Sequence, residues 1–507
     1  MAGDIMRIIL LEHPRKISPE RCNDIANTPL SSCLLSGYAS GMLRSMGHEV
    51  EIIEGHMDGL CYEEITRRVS AKRPEMIGVH MIYHWRPDVE LYAFLDLIKK
   101  EFDPHIAVYG FYPTIIHEEI LKACSAVDSV VLGEPEITFA ELAQALEAQS
   151  RPAEIKGLAQ RGPNGGISYE RREPIADIDA LPFPARTEGM YKIPEVNIQG
   201  SRGCYGRCVF CYINPFYGRP SLWRERSPEN IIEEMEVIIA ETGRRDFYFT
   251  DPNFFGPGER GRQRTLRLAA LLRQRNIRFG LEGRVNDILD ETIGALVDAG
   301  LRNILIGIES GKDDALRRMN KMTTVAQNEQ ALRILRAHGI EPNVGFIMFE
   351  PDSSIEDVRA NFKFLQRNGL LKTLAITVNV LYHFQIVLKG TPAYQNLYQA
   401  ERLQTSPDAP YEGTATFLHA GVGLLASAMR RLTNFIFARM NNIWSGRVVG
   451  PPGANARDSQ VNVLLVDTFD RLLVLLETAG YLSADNMDMI VDDAEKKISA
   501  ILEGAGR

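Results

Sequence analysis

The feature that constrains this chain most is a regular alternation of strand-like and helix-like segments, which occurs twice. Within residues 1–150, short apolar runs rich in β-branched residues are each followed by a stretch whose apolar residues have helical spacing. Strands and helices that alternate through short loops predict a parallel sheet covered by helices on both faces. The first series therefore predicts an α/β domain of the Rossmann-like kind.

A second alternating series spans residues 196–395 and follows a segment rich in Pro, Gly and charge, residues 151–195. Its six strand-like runs predict a curved partial (β/α)6 barrel of parallel strands, in which chemistry is expected at the carboxyl ends of the strands. We count the run TLAITVNVLY, residues 373–382, as the sixth strand. Residues 151–195 are predicted to be a linker with one hairpin. Residues 396–507 have mostly helical patterns and are predicted to form a helical C-terminal domain.

The composition is that of an ordinary globular protein. The chain has 507 residues, 45% of them hydrophobic and 24% charged, and a formal net charge of −9. It contains no basic tract, so we expect no nucleic-acid partner. We find neither a signal peptide nor a run near the roughly 20 apolar residues of a membrane span, so we expect a cytoplasmic protein without a membrane partner. Seven cysteines are too few for a disulfide framework and favour a metal site in a reducing compartment.

Three of those cysteines stand close together where the first barrel strand runs into GSRGCYGRCVFCY, residues 200–212. Cys204, Cys208 and Cys211 are spaced four and three residues apart. Three thiolates on one tight loop can take three corners of a 4Fe-4S cluster and leave the fourth iron open. The alternatives are three incidental cysteines, or a zinc site with a distant fourth ligand. Zinc usually takes a second pair of ligands, and we find none in the sequence.

At these residues the sequence resembles the radical S-adenosylmethionine (SAM) superfamily, whose signature is C-x3-C-x2-C with an aromatic residue before the last cysteine, here Phe210. The resemblance covers about residues 196–395. It implies that the open iron binds SAM and that one electron from the cluster cleaves SAM to a 5′-deoxyadenosyl radical. That radical abstracts hydrogen from an unactivated carbon. The resemblance also implies cofactor contacts at later strand ends, from these residues: Asp251, Asn253, Arg284, Glu309 and Ser310.

Each of these positions also has a structural interpretation. Asp251 and Asn253 are residue types common in the turn after a strand. Arg284 suits a structural ion pair as well as a bidentate contact to a carboxylate. Glu309 at a strand end could simply be solvated, and Phe210 could be part of the core. The sequence therefore leaves both interpretations open at these positions.

The order of the regions resembles the subclass of radical SAM enzymes that has an N-terminal cobalamin-binding domain. Two segments are typical of it, NTPLSSCLLSGYASGMLRSMGHEVEIIEG and VVLGEPEITFAEL. However, Tyr109 stands where the subclass often has a glycine beside the nucleotide tail of cobalamin, and Phe111 follows Gly110. We therefore expect cobalamin binding to be lost or weakened, so that cobalamin is a doubtful cofactor. His80 and His84 could ligate cobalt, but histidines in a packed interface are the favoured interpretation.

An architecture of this kind without cobalamin resembles the radical SAM diol dehydratases of aminoglycoside biosynthesis. That resemblance implies a lyase of antibiotic biosynthesis that acts on an amino-sugar diol, with a flavodoxin-like or chemical electron donor and a partner reductase. Loss of water needs acid and base groups within hydrogen-bond reach of the diol, and the candidates are Tyr217, Glu282, Glu350 and His383. The alternatives are a cobalamin-dependent methyltransferase or cyclase and a non-catalytic iron–sulfur protein. The helical tail is expected to close the barrel mouth or to form a homodimer interface.

Overall fold

The N-terminal region is a sheet with helices on both faces. The computed structural model describes residues 5–14, 34–81, 89–150, 152, 154–162, 164–406, 409–439, 456–479 and 483–503. The strands of the first sheet are β1 (Arg7–Glu12), β2 (Glu49–Glu54), β3 (Met76–His80), β4 (His105–Tyr109), β5 (Ser129–Val131), β6 (Leu158–Arg161) and β7 (Ile167–Tyr169). Its helices are α1 (Leu34–Ser45), α2 (Tyr62–Lys72), α3 (Val89–Phe102), α4 (Phe111–Ile115), α5 (His117–Ala123) and α6 (Pro135–Glu147).

The strand order of this sheet, β2-β1-β3-β4-β5-β6-β7, is that of a doubly wound fold with two added strands. Strands β1 to β5 pair in parallel, and their interiors are almost continuously apolar because both faces are covered. The order reverses between β1 and β3, which makes the carboxyl ends of these two strands the topological switch point. Strands β6 and β7 form the predicted hairpin, but the hairpin extends the N-terminal sheet and is not part of a free linker.

The central region is the predicted curved sheet. Its strands are β8 (Val196–Ile198), β9 (Ser201–Gly203), β10 (Trp223–Glu225), β11 (Asp246–Phe249), β12 (Arg278–Arg284), β13 (Leu301–Glu309) and β14 (Asn343–Phe346). Its helices are α7 (Ile213–Tyr217), α8 (Pro228–Thr242), α9 (Gly258–Leu272), α10 (Asp290–Ala299), α11 (Asp313–Arg318), α12 (Val325–Ala337) and α13 (Ile355–Arg367). Strands β8, β11, β12, β13 and β14 form the parallel sheet in this spatial order, and β9 pairs with β10 in a separate antiparallel ribbon.

The predicted sixth strand is wrong. Residues 373–382 contain the helix α14 (Leu374–Val380), which packs between the barrel and the C-terminal helices. Leu374, Val378 and Val380 are buried in the same core as the barrel. The periodicity of so short an apolar run does not separate a helix from a strand.

Local signals fix where several barrel helices begin. Ser227 accepts a hydrogen bond at the start of α8, which has Pro228 as its first residue. Thr324 and Ser354 form capping boxes at the starts of α12 and α13. Each such cap stabilises a helix by about 1 kcal/mol. These caps fix the residues at which the helices begin. They thereby fix the length of the loops that follow the strand ends, and the candidate site lies at those strand ends.

The C-terminal region is mostly helical, as predicted, and also contains a small sheet. Its remaining helices are α15 (Pro392–Gln399), α16 (Ala420–Arg439), α17 (Ala456–Ala479) and α18 (Ala484–Glu503). The sheet, which we did not predict, has antiparallel strands in the order β15 (Val387–Leu388), β17 (Ala409–Ala415) and β16 (Leu403–Ser406). In the described part of the chain, no helix has the length and apolar character needed to cross a bilayer. The α/β class with a Rossmann-like domain, a partial barrel and a helical C-terminal region is confirmed.

Candidate active site

The three cysteines lie on one loop that directly follows β9. Cys208 is buried, whereas Cys204 and Cys211 are partly buried. The backbone N–H of Gly206 donates to the sulfur of Cys204 at 3.3 Å, the kind of contact that tunes iron–sulfur sites. Burial raises the pKa of the Cys211 thiol to about 12, so a thiolate here needs a positive partner. Among the described residues, no three His, Cys, Asp or Glu side chains are close enough together to bind one metal ion. In an iron–sulfur cluster, each of the three thiolates binds a different iron, so the sulfur atoms need not converge on one point.

Neighbouring segments hold this loop by its backbone. The N–H of Val209 donates to the carbonyl of Met319 at 3.0 Å, and the carbonyl of Val209 accepts from the N–H of Ala393 at 2.9 Å. The side-chain amide of Asn320 donates to the carbonyl of Arg207 at 2.9 Å. The loop is therefore pre-organised by the segment after α11 and by the start of α15, as a metal-binding loop requires.

Two buried cations face the cysteine loop. The Nη1 atom of Arg284 lies 3.5 Å from the sulfur of Cys208, and its Nη2 donates to the carbonyl of Lys321. The Nζ of Lys321 donates to Oε1 of Glu309 at 2.7 Å. A Cβ at position 206 would overlap the guanidinium of Arg284, so Gly206 is needed for this close approach. The two positive charges favour thiolates on the loop and would attract a carboxylate.

The backbone of Glu309 is strained. It has a φ of 62°, a left-handed conformation that residues with a side chain rarely adopt, and it ends β13 where the pairing register shifts. A Cβ at position 307 would come within 2.5 Å of Oε1 of Glu309 and 2.6 Å of Nζ of Lys321, so Gly307 makes room for the ion pair. Strain of this kind clusters at ligand sites. It supports the predicted functional role of Glu309 over simple solvation.

Asn253 presents an unsatisfied acceptor inside the protein. Its Nδ2 donates to Oδ2 of Asp287 at 3.1 Å, but its buried Oδ1 has no hydrogen-bond partner among the described residues. The hydroxyl of Tyr205 also donates to Asp287 and accepts from Asn286 at 2.8 Å. A buried acceptor without a partner costs about 1–3 kcal/mol. A ligand with an N–H group would remove that cost.

Asp251 and Ser310 are engaged in contacts within the protein. The Oδ1 of Asp251 accepts from the N–H of Gly200 at 2.7 Å, and its Oδ2 accepts from the hydroxyl of Ser201 at 3.0 Å. These bonds hold the turn that leads into the cysteine loop. The hydroxyl of Ser310 donates to Oδ1 of Asn361 at 2.7 Å. The contacts favour the structural interpretation of both residues over direct cofactor contacts.

Phe210 packs in a small apolar cluster beside the cysteine loop. Its neighbours there are Ala315, Met319 and Ile347. The cluster joins the cysteine loop to α11 and to the residue that follows β14. This position agrees with the core interpretation of Phe210 and places its ring at the edge of the site.

The four candidate acid–base residues do not form one cluster, although Glu350 and His383 lie on adjacent segments, where the N–H of Phe349 donates to the carbonyl of His383 at 3.1 Å. Tyr217 is buried between the N-terminal sheet and the barrel, with the guanidinium of Arg224 4.9 Å from the centre of its ring. Glu350 accepts from Arg318 at 2.7 Å and 3.0 Å. The Nδ1 of His383 lies 3.0 Å from a backbone carbonyl oxygen one turn earlier. These partners favour structural roles for Tyr217 and Glu350.

Glu282 shares the barrel interior with Arg284. The two residues are two positions apart on β12, so their side chains leave the same face of the strand, about 7 Å apart along it. Glu282 is buried, and its Oε1 accepts from the hydroxyl of Tyr248 at 3.1 Å. Of the four candidates, Glu282 is the one that this strand geometry places below the cysteine loop.

A buried set of charges joins the N-terminal sheet to the strand that carries the cysteines. Arg202, two residues before Cys204, donates to Glu134 and to Glu136, each at 2.7 Å. Arg224 donates to Glu134 at 2.8 Å. We call Glu134, Glu136, Arg202 and Arg224 the interdomain charge cluster. Sequence reasoning missed this cluster, and it also missed Lys321 and Asp287.

The carboxyl edge of the N-terminal sheet is filled at its switch point. Glu12, Ser36, His80 and Tyr109 meet there, and none of them is more than 2% exposed. The Nδ1 of His80 lies 2.9 Å from Oε2 of Glu12, and the hydroxyls of Ser36 and Tyr109 lie 2.6 Å apart. The Ser36 hydroxyl also lies within hydrogen-bond distance of Glu12. We call these four residues the switch-point tetrad. His84, the other candidate cobalt ligand, lies outside the described residues.

Comparisons with known families agree with this geometry. The model of the radical SAM superfamily matches residues 198–365, which include the cysteine loop, β12 and the end of β13. This match covers about a third of the chain and confirms the resemblance of the central region to the radical SAM superfamily. The model of the B12 binding domain matches residues 37–143 of the N-terminal sheet. The resemblance to the subclass with an N-terminal cobalamin-binding-type domain is therefore confirmed.

The individual proteins with similar sequences are named as enzymes of several different classes. An uncharacterized methyltransferase of Pyrococcus horikoshii is 28% identical over 72% of this chain and 78% of its own length. The 4′-phospho-dehydrooxetanocin synthase of Priestia megaterium is 25% identical over 82% of this chain, but the match spans only 58% of that protein. The cobalamin-dependent SAM radical enzyme OxsB, solved with aqua-cobalamin, superposes with a TM-score of 0.81 at 19% identity, covering 98% of this chain and 80% of OxsB. The last likeness shows the fold.

The described residues fit two of the three cofactors that these relationships imply. Three thiols, two buried cations and an unsatisfied acceptor suit a 4Fe-4S cluster and SAM. The B12 match runs against our expectation that cobalamin binding is lost. The tetrad, in contrast, occupies the place where doubly wound sheets bind nucleotide-bearing ligands, so these residues do not fit the nucleotide tail of cobalamin.

Proposed function

We propose that this radical SAM enzyme abstracts hydrogen from a small polar molecule and that the substrate then loses water. The substrate class that we propose is an amino-sugar diol. Members of this superfamily need a reductant and act on SAM; when bound, the cluster supplies the electron that cleaves SAM to a 5′-deoxyadenosyl radical. The observation that carries the proposal is the meeting of three thiols, two buried cations and one unsatisfied acceptor at the strand ends.

In this proposal, different residues around the cysteine loop bind different chemical groups of SAM. Arg284 and Lys321 supply positive charge for its carboxylate, and Oδ1 of Asn253 accepts from its amino group. In this proposal Glu309, which accepts a hydrogen bond from Lys321, also accepts from the ribose hydroxyls. Each assignment matches a charge or a hydrogen-bonding need of a described side chain with one group of the ligand.

The loss of water requires a proton acceptor inside the barrel. In our proposal a carboxylate oxygen of Glu282 takes the proton from the hydroxyl on the carbon that has lost hydrogen. The neighbouring C–O bond then breaks, and the departing hydroxyl leaves as water with that proton. The substrate radical is finally reduced by one electron and one proton from a flavodoxin-like or chemical donor. The position of Glu282 below Arg284 and its hydrogen bond from Tyr248 support this role.

A second candidate function is cobalamin-dependent methyl transfer or cyclisation. The match of residues 37–143 to the B12 binding domain and the names of the relatives favour it. The filled switch point favours the dehydration.

The two functions differ in the products of SAM. Anaerobically reconstituted protein would be incubated with SAM, dithionite and a panel of amino sugars, with and without hydroxocobalamin, and the nucleosides measured by mass spectrometry. Our proposal expects 5′-deoxyadenosine and a substrate that has lost water, in both conditions. Formation of S-adenosylhomocysteine and a methylated product only with cobalamin would support the second function instead. Cys208→Ala should abolish SAM cleavage, and Cys61→Ala, at an exposed thiol away from the loop, is the matched control.

A further inference from the structure

The switch-point tetrad connects four elements of the N-terminal domain through one chain of hydrogen bonds. Glu12 ends β1, His80 ends β3, Tyr109 ends β4 and Ser36 lies on α1. Glu12 uses one carboxylate oxygen toward His80 and the other toward Ser36, and Ser36 contacts the hydroxyl of Tyr109. Nucleotide-bearing ligands of doubly wound sheets enter between these strand ends. In the described part of the chain, these four side chains lie at that entry and contact one another.

The side chains around the tetrad are tightly packed. The ring of Tyr109 meets the ring of Phe139 edge to face at 5.1 Å and lies 5.3 Å from the ring of His80. A Cβ at position 110 would lie 2.7 Å from the carbonyl oxygen of Met81 and 2.8 Å from the His80 ring. The ends of β3 and β4 are therefore in direct contact. Among the described residues, the rings of His80 and Tyr109 therefore lie where a ligand would enter between these strand ends.

Aromatic rings also fill the space between this sheet edge and the cysteine loop. Phe111, the first residue of α4, packs against Phe216 at 4.1 Å and Tyr212 at 5.0 Å between ring centres. Tyr212 directly follows Cys211, and Tyr212 and Phe216 belong to the same apolar cluster as the N-terminal sheet, with Phe111 packed against it. The domain thus touches the segment after the cysteine loop through packed rings.

We infer that the N-terminal domain of this chain does not bind cobalamin, because His80 and Tyr109 occupy the crevice for its nucleotide tail. The domain acts instead as a scaffold, which packs on the cysteine loop and holds Arg202 through the interdomain charge cluster. This inference disagrees with what the B12 family match implies and does not depend on which reaction the barrel performs.

The first test needs only the wild-type protein. Reconstituted full-length protein is incubated with excess hydroxocobalamin and passed through gel filtration, and the cobalamin that remains bound is measured by its absorbance. We expect less than a tenth of an equivalent per chain and no rise in melting temperature with cobalamin. One equivalent retained would overturn the inference. Since the readout is binding, a failure here is distinct from a failure of the dehydration, which is judged from the products of SAM.

The second test opens the crevice. The double variant His80→Ser, Tyr109→Gly removes both rings, and we expect it to retain at least five times more cobalamin than the wild type. Ser36→Ala is the matched control, because it breaks the hydrogen bonds but leaves both rings in place, and it should bind no more than the wild type. A folded double variant that binds no cobalamin would refute the role of the two rings. If circular dichroism shows that the double variant is unfolded, the wild-type titration decides alone.

Discussion

The interdomain charge cluster should be essential for stability, and Arg202→Met tests this. Methionine has a similar length but no charge, so the substitution leaves the buried Glu136 carboxylate without the guanidinium of Arg202, which donates to it at 2.7 Å. Glu134 keeps Arg224. Removing one partner from a buried ion pair costs about 3–5 kcal/mol, because the other charge stays desolvated. We expect a loss of that size in the free energy of unfolding.

The assay is urea unfolding of the apoprotein under anaerobic conditions, followed by tryptophan fluorescence and circular dichroism. Arg278→Met is the matched control, because Arg278 pairs with Asp246 at the protein surface and such pairs contribute little. The double variant Arg202→Met, Glu136→Met should recover part of the loss, since two apolar residues can replace a buried pair. A loss below about 1 kcal/mol for Arg202→Met would refute the reasoning that desolvated charge dominates at this site.

Three further predictions concern the site around the cysteine loop. Gly307→Ala should weaken SAM binding at least tenfold in isothermal titration, because the new Cβ would displace the Glu309–Lys321 pair. Gly345→Ala on the adjacent strand should leave the affinity unchanged, because its Cβ would meet nothing closer than 3.6 Å. Equal affinities of the two variants would contradict the role of the pair. Arg284→Met should lower the iron content and the visible absorbance of the reconstituted protein, because the cation beside Cys208 favours the thiolate, and Arg275→Met, on the outer surface, is the control. Burial raises the pKa of Asp251 to about 6, so the folded protein keeps a proton that the unfolded chain releases above about pH 4. The free energy of unfolding should therefore fall by about 3 kcal/mol between pH 4 and 6. Asp251→Asn should remove this pH dependence in urea unfolding, and an unchanged dependence would show that another group causes it.

The sequence predicted the parts of the site that lie in one segment. The spacing of Cys204, Cys208 and Cys211 depends on one loop, and Arg284 and Glu309 became candidates because the resemblance to the radical SAM superfamily implies contacts at strand ends. Lys321 was missed because it follows a short helix in a loop without periodic signal. Only the fold brings it to Glu309 and Arg284, which lie on two different strands.

The same physical reason explains the errors in the fold. Leu374–Val380 is a helix, and the sequence pattern did not distinguish it from a strand because so short an apolar run fits either period. The small sheet of β15, β16 and β17 was missed because its strands are short and β15 pairs with β17, which follows only after α15 and β16 in the chain. Partners that are distant in sequence, such as Arg202 and Glu136, leave no local pattern at all.

The switch-point tetrad and the interdomain charge cluster lie at separate places in the fold. The tetrad lies at the ends of β1, β3 and β4, whereas the charge cluster uses the start of α6 and the strands β9 and β10. The two sets share no residue, so opening the crevice should leave the hold on Arg202 intact. We therefore expect the free-energy changes of His80→Ser, Tyr109→Gly and of Arg202→Met to add within about 0.5 kcal/mol when all three substitutions are combined. A larger departure from additivity in urea unfolding would mean that the crevice and the cysteine strand are coupled, and closing the crevice would then have changed the cysteine loop as well.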